Sequence, residues 1–137
     1  MDDRIERPAR VLVVEDDLAN RVLLGRLLER GGHRVVTADD GRAALEMAGQ
    51  GVADVVLLDL GLPDIDGLDV CRRLRADPAT AALPVILVTG RDGAAESAEG
   101  TAAGADGTIA KPYEFGALLA MIQRVIRARG QRVDVTS

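Results

Sequence analysis

Four short apolar runs in this chain lead into residues that can do chemistry. Val11–Val14 is followed by Glu15, Asp16 and Asp17, Val55–Leu58 by Asp59, Val85–Val88 by Thr89, and Gly107–Ala110 by Lys111 and Pro112. Carboxylates brought together repel, and a like pair about 4 Å apart costs about 4 kcal/mol at an effective dielectric near 20. If a fold gathers these groups, the cluster must take up protons or a cation. Oxygen donors on a shallow rim suit Mg²⁺, with Mn²⁺ as a substitute, because such ions need few protein ligands and keep several waters. The Thr89 hydroxyl and the Lys111 ammonium suit anionic oxygens instead. Asp59, at the end of a wholly apolar run, is the candidate nucleophile. Metal, nucleophilic carboxylate and two groups that grip an anion make a phosphoryl-transfer site, in which positioning and charge neutralisation carry most of the catalysis. Lys111 adds weight, because the chain has 16 Arg and one Lys. A compact point charge is a different tool from a planar fork.

Such residues need elements that bring them together. Five β-branched runs read as strands: Arg10–Val14, Arg34–Ala38, Val52–Asp59, Pro84–Thr89 and Gly107–Lys111. They show little polar alternation, as expected of strands covered on both faces. Helical patterns lie between and after them, at Leu18–Arg30, Asp40–Ala48, Leu68–Arg75, Ala94–Ala103 and from Phe115 to Ile126. Asp17 is placed to cap the first of these, and Gly31-Gly32 to end it. The alternation predicts an α/β fold, a doubly wound five-stranded parallel sheet of order 2-1-3-4-5 in a single domain. In that order strands one, three, four and five are neighbours. Their carboxyl ends, where ligands of open parallel sheets bind, line up the acidic residues Glu15, Asp16 and Asp17 with Asp59, Thr89 and Lys111 in one row.

Composition narrows the function. The 137 residues are 47% hydrophobic and 28% charged, with a net charge of −5. That suits one folded domain and excludes disorder. One Tyr, one Phe and no Trp argue against base stacking, and the acidic balance argues against direct nucleic-acid binding. No apolar run reaches membrane-spanning length. One cysteine, Cys71, leaves no internal disulfide, which fits a reducing cytoplasm. The residues 10–129 form the predicted domain, with 1–9 and 130–137 as flexible ends. His33, beside a glycine turn, reads as a surface residue, Cys71 as a core residue, and Arg72, Arg73 and Arg75 as a solvated helix face. The basic positions of the last helix, Arg124, Arg127, Arg129 and Arg132, read the same way. Between Gly90 and Thr108 no large apolar side chain occurs, so the fourth helix is expected to be poorly anchored, and the segment Arg91–Gly104 to be mobile and to order on phosphorylation or partner binding.

The segments VLVVEDD at 11–17, VVLLDLGLPDIDG at 55–67, PVILVTG at 84–90 and AGADGTIAKP at 103–112 resemble, in this order and spacing, the receiver domains of two-component response regulators. The resemblance covers residues 10–129. It implies that Asp59 accepts a phosphoryl group from a phosphohistidine on a histidine kinase or histidine phosphotransfer protein. It further implies Mg²⁺ held by Asp16, by Glu15 mostly through water, by Asp59 and by the backbone carbonyl of Gly61. Thr89 and Lys111 would contact the phosphoryl oxygens, with a cis Lys111–Pro112 bond. The chain would be no enzyme beyond catalysing its own phosphorylation and dephosphorylation. It would act as a monomer or weak homodimer on a protein target.

Two positions depart from that pattern. The aromatic residue usual three positions before the lysine is Thr108, and the side chain usual two after the phosphoacceptor is absent at Gly61. Other readings fare worse on the residues. A haloacid-dehalogenase-type phosphatase needs an acid where Gly61 stands. A flavodoxin-like carrier needs a phosphate loop where Glu15, Asp16 and Asp17 stand. A receiver-like interaction module working without phosphorylation remains the alternative.

Overall fold

The computed structural model describes residues 8–90 and 93–136. Five strands alternate with five helices: β1 (Arg10–Val14), α1 (Leu18–Arg30), β2 (Arg34–Ala38), α2 (Gly41–Gly49), β3 (Val55–Asp59), α3 (Gly67–Ala76), β4 (Val85–Thr89), α4 (Gly93–Ala103), β5 (Gly107–Ala110) and α5 (Phe115–Thr136). All strand pairs are parallel and the order is β2-β1-β3-β4-β5, as the sequence predicts.

Alternation along the strands divides the core into two layers. Leu12, Val14, Val56, Leu58, Val85 and Leu87 face Ala44 and Ala48 of α2, Val70, Cys71 and Leu74 of α3, and Ala103 of α4. Val11, Val13, Val55, Leu57, Ile86 and Val88 face Leu28 of α1 and Leu118, Ile122 and Val125 of α5. Each large aliphatic side chain buried this way stabilises the fold by roughly 1.5–3 kcal/mol. Three aspartates start helices: Asp17, Asp40 and Asp66 accept from the N–H groups of Asn20, Ala43 and Leu68.

The differences from the sequence reading have local causes. β3 starts at Val55, not Val52; the Asp54 side chain before it is taken up by the backbone N–H and guanidinium of Arg10 at the start of β1. β5 stops at Ala110, leaving Lys111 in the following turn. The helices α2, α3 and α4 begin or end one residue beyond the predicted bounds. α5 continues through Thr136, past the expected boundary at 129. Ala9, read as part of a solvated end, is buried, and its carbonyl accepts from Arg34 N–H at 2.9 Å. Residues 1–7 lie outside the described residues.

His33 is a correction of substance, because only 4% of it is exposed. Its Nδ1 accepts from Ala9 N–H at 3.1 Å, and among the described residues its Nε2 has no partner. Arg75 is a second. Far from lying on a solvated face, it donates to the carbonyls of Gly104 and Leu83 and to Asp106. Arg129 likewise bonds Asp106. Thus α3 and α5, on opposite faces of the sheet, are fastened to one carboxylate.

α4 corrects the expectation of poor anchoring. A Cβ on Gly100 would lie 2.6 Å from Leu87 Cδ1 and 3.2 Å from Thr108 Cγ2, so the bare backbone sits directly on the sheet. Ser97 and Thr108 share a hydroxyl hydrogen bond of 2.7 Å. Close approach and polar ties replace the large side chains that the sequence lacks.

Candidate functional site

The strand register builds the site. Val14 pairs with Leu58, Asp59 with Val88, and Thr89 with Ala110. Asp59 and Thr89, which end β3 and β4, and Glu15 and Lys111, which directly follow β1 and β5, therefore form one rim. Glu15 follows Val14 and is buried; its Oε2 accepts from Asp17 N–H at 3.0 Å. Arg21, one turn into α1, donates to the Glu15 carbonyl at 2.8 Å and fixes this loop. Lys111 N–H donates to the Thr89 carbonyl at 2.9 Å, which sets the turn that delivers the ammonium. The Lys111–Pro112 bond is cis, as the resemblance implies.

Asp59 is the centre of the rim. Its Oδ2 accepts from Lys111 Nζ at 2.8 Å and its Oδ1 from Gly61 N–H at 2.8 Å. Lys111 Nζ also lies 3.8 Å from Glu15 Oε1. Burial opposes ionisation of Asp59, but the Lys111 ammonium and the Gly61 N–H outweigh it and hold the carboxyl below its ordinary range. Burial pushes the Glu15 carboxyl up, and the facing Asp59 carboxylate adds to that, against the Asp17 N–H and Lys111. Lys111 itself is held above its usual range, because its bond and attraction to Asp59 overcome its own burial. The surroundings thus favour the ionised form of Asp59 and disfavour that of Glu15.

Glu15, Asp59 and Lys111 are brought together. Thr89 is buried at the adjacent strand end, with its hydroxyl 3.5 Å from the Ile109 carbonyl. Gly61 enters through its N–H. Asp16 follows Glu15 but is exposed, and among the described residues no three His, Cys, Asp or Glu side chains are gathered closely enough to hold a metal ion. The donor chemistry nonetheless fits a hard cation, because the two oxygen-donor groups Glu15 and Asp59 share a single ammonium.

Sequence reasoning passed over the groups that hold the loops. Asp64 accepts from Gly41 and Arg42 N–H at 2.8 and 3.0 Å, pinning the β3–α3 loop to the start of α2. A Cβ on Gly67 would lie 2.8 Å from Leu60 Cα, so only glycine lets that loop fold back over the strand end. Glu96 Oε1 accepts from Gly90 N–H at 2.8 Å. None of these carries a signal beyond an aspartate after Pro63, a glycine after an aspartate and a glutamate near a helix start. Beside the site, a cavity of about 570 Å³ lies between α1 and the start of α5, lined by Leu23, Leu24, Leu27, Phe115, Glu15 and Lys111. Next to it α1 exposes Leu18, Val22 and Leu23.

Residues 11–123 match the model of the response regulator receiver domain. The chain belongs to this family. It is a receiver domain of two-component response regulators. It is 42% identical over 120 residues to the response regulator MprA of Mycolicibacterium vanbaalenii, covering 88% of this chain and 51% of that protein. The chain thus spans about half the length of the MprA proteins it matches. A putative response regulator from Chloroflexus aurantiacus superposes with a TM-score of 0.84 at 30% identity, covering 88% of this chain and 99% of that one. The receiver domain of a sensor histidine kinase from Pseudomonas aeruginosa superposes with a TM-score of 0.80 at 29% identity, covering 88% and 98%. That structure is described with a magnesium ion coordinated in its active-site cleft. Receiver domains typically bind Mg²⁺, and they interact with histidine kinases or phosphotransfer proteins.

Proposed function

We propose that Asp59 is the phosphoacceptor of this receiver and that the chain catalyses its own phosphorylation and dephosphorylation. One observation carries the reading: an ionised carboxylate in the middle of the strand-end row, with an ammonium on one oxygen and a backbone N–H on the other. In the step proposed, an Asp59 oxygen attacks the phosphorus of a phosphohistidine. The P–O bond forms as the P–N bond breaks, and the imidazole departs with the electron pair of that bond. Lys111 balances charge on the phosphoryl oxygens, and Thr89 donates its hydroxyl to one of them. Glu15, Asp16, Asp59 and the Gly61 carbonyl would hold Mg²⁺. When bound there it would neutralise charge on the rim and on the transferring group. The donor would come from a histidine kinase or histidine phosphotransfer protein in the cytoplasm. The apolar side chains of α1 beside the Lys111 cavity suit a protein surface bearing the donor.

Intact mass after incubation with acetyl phosphate, with and without Mg²⁺, tests this. Wild type is expected to gain one phosphoryl group only with Mg²⁺, and Asp59→Asn to gain none. No adduct on wild type, together with no Mg²⁺-dependent binding of beryllofluoride, would overturn the reading and favour a module that works without phosphorylation.

A further inference from the structure

Two adjacent side chains of α4 reach β5, which Lys111 follows, and the residue just past β4, which ends in Thr89. Ser97 bonds Thr108 on β5, three residues before Lys111. Glu96 reaches back to Gly90, the first residue past β4, and its Oε1 accepts the Gly90 N–H at 2.8 Å. Gly90 directly follows Thr89 on the strand that neighbours Asp59. The two sides of the Asp59 rim are therefore alike. On one, the Gly61 N–H meets a carboxylate oxygen of Asp59. On the other, the Gly90 N–H meets a carboxylate oxygen that comes from α4. Backbone N–H groups at such turns are donors for anionic oxygens. Here the donor on the Thr89 side is already taken by an anion belonging to the chain.

We infer that Glu96 is an internal competitor for the phosphoryl group: in the unphosphorylated chain its carboxylate occupies the Gly90 N–H that an oxygen of phosphorylated Asp59 takes. The inference rests on the phosphoacceptor reading. A single N–H cannot serve both oxygens fully, and a phosphoryl group of nearly two negative charges repels the carboxylate. Phosphorylation therefore frees Glu96 from Gly90 and unties the first turn of α4 from β4. The Ser97–Thr108 bond keeps the helix on β5. The outward sign of phosphorylation is then a released carboxylate on α4, a device that needs no aromatic side chain at Thr108. The contact lies at the surface, so its net worth is small and a better-placed anion can displace it.

The test is Mg²⁺-dependent beryllofluoride binding by the full chain as wild type, Glu96→Gln and Glu96→Ala, with amide exchange of Gly90 followed in the free proteins. Removing the competitor is expected to tighten binding roughly three- to tenfold in Glu96→Ala, and less in Glu96→Gln. Gly90 should exchange slowly in wild type and quickly in Glu96→Ala, while the β3 and β4 core amides stay protected in all three. Equal affinities, or weaker binding by Glu96→Ala, would overturn the inference and leave the phosphoacceptor reading standing. No binding by any of the three would overturn both.

Discussion

At the scale of single residues, the site shows what kind of group can be read from a sequence. Asp59, Lys111 and Glu15 meet within hydrogen-bond or ion-pair distance because each ends or follows a strand whose neighbour is fixed by topology. Residue type and strand order sufficed for them. Asp16 shows the limit. It sits one position from Glu15, yet its side chain is not gathered with the others, and side-chain direction in a loop is not set by spacing. Gly61 is the position where type matters most for the chemistry. A Cβ there would meet only Asp59 Oδ1, at 3.6 Å, and the backbone is not in the left-handed region. A larger side chain is therefore accommodated without strain, and it would stand between water and a phosphoryl group on Asp59. Gly61→Asn is expected to lengthen the phosphoryl lifetime about tenfold, equivalent to about 1.4 kcal/mol on the hydrolysis barrier. Decay of the adduct mass after the donor is removed measures this, and an unchanged lifetime would show that water reaches the phosphorus by another route.

At the scale of elements, strands and capped helices were legible, and the turns that lock them were not. Asp17 before an apolar stripe announces α1 and caps it. His33 gives no such announcement. A histidine beside Gly32 looks exposed, but the chain before β1 returns over the α1–β2 turn and places Ala9 N–H on Nδ1. That contact requires a neutral ring, with its proton on Nε2. Burial lowers the pKa of His33, and the Ala9 N–H on Nδ1 likewise favours the neutral ring. The unfolded chain, by contrast, takes up a proton at about pH 6.5. Below that pH the unfolded state binds more protons than the folded one. The stability that His33 contributes is thus complete above about pH 6.5 and is lost as pH falls through the folded pKa. His33 is the only histidine, so the effect can be isolated. Urea midpoints measured from pH 8 to pH 5 should fall for wild type. His33→Asn, which keeps an acceptor for Ala9 and cannot titrate, should fall distinctly less. Parallel curves for the two proteins would place the pH dependence elsewhere.

At the scale of the whole molecule, the order of strands and the two apolar layers follow from pattern alone, whereas the polar fastening between layers does not. Arg72, Arg73 and Arg75 look alike in sequence. Arg72 forms an i,i+3 pair with Asp69 whose partners are 55% and 52% exposed, while the Arg75–Asp106 pair is only 18% and 11% exposed. Asp106 also accepts from Val85 N–H, at the start of β4, and from Arg129 of α5. One carboxylate thus holds a helix from each face and a central strand, at the end of the sheet opposite the Asp59 rim. Its value differs in kind from that of the surface pair. Exposed pairs are worth under about 1 kcal/mol, because water and salt screen them. Removing one partner of a buried pair leaves uncompensated charge, here the guanidinium groups of Arg75 and Arg129. Asp106→Asn is therefore expected to lower unfolding stability by about 2–4 kcal/mol, and Asp69→Asn by less than about 0.5 kcal/mol. Urea denaturation at low and high salt separates them. The Asp106 effect should persist at high salt, where the smaller Asp69 effect disappears. Equal losses for the two variants would mean that Asp106 is no more than another surface charge.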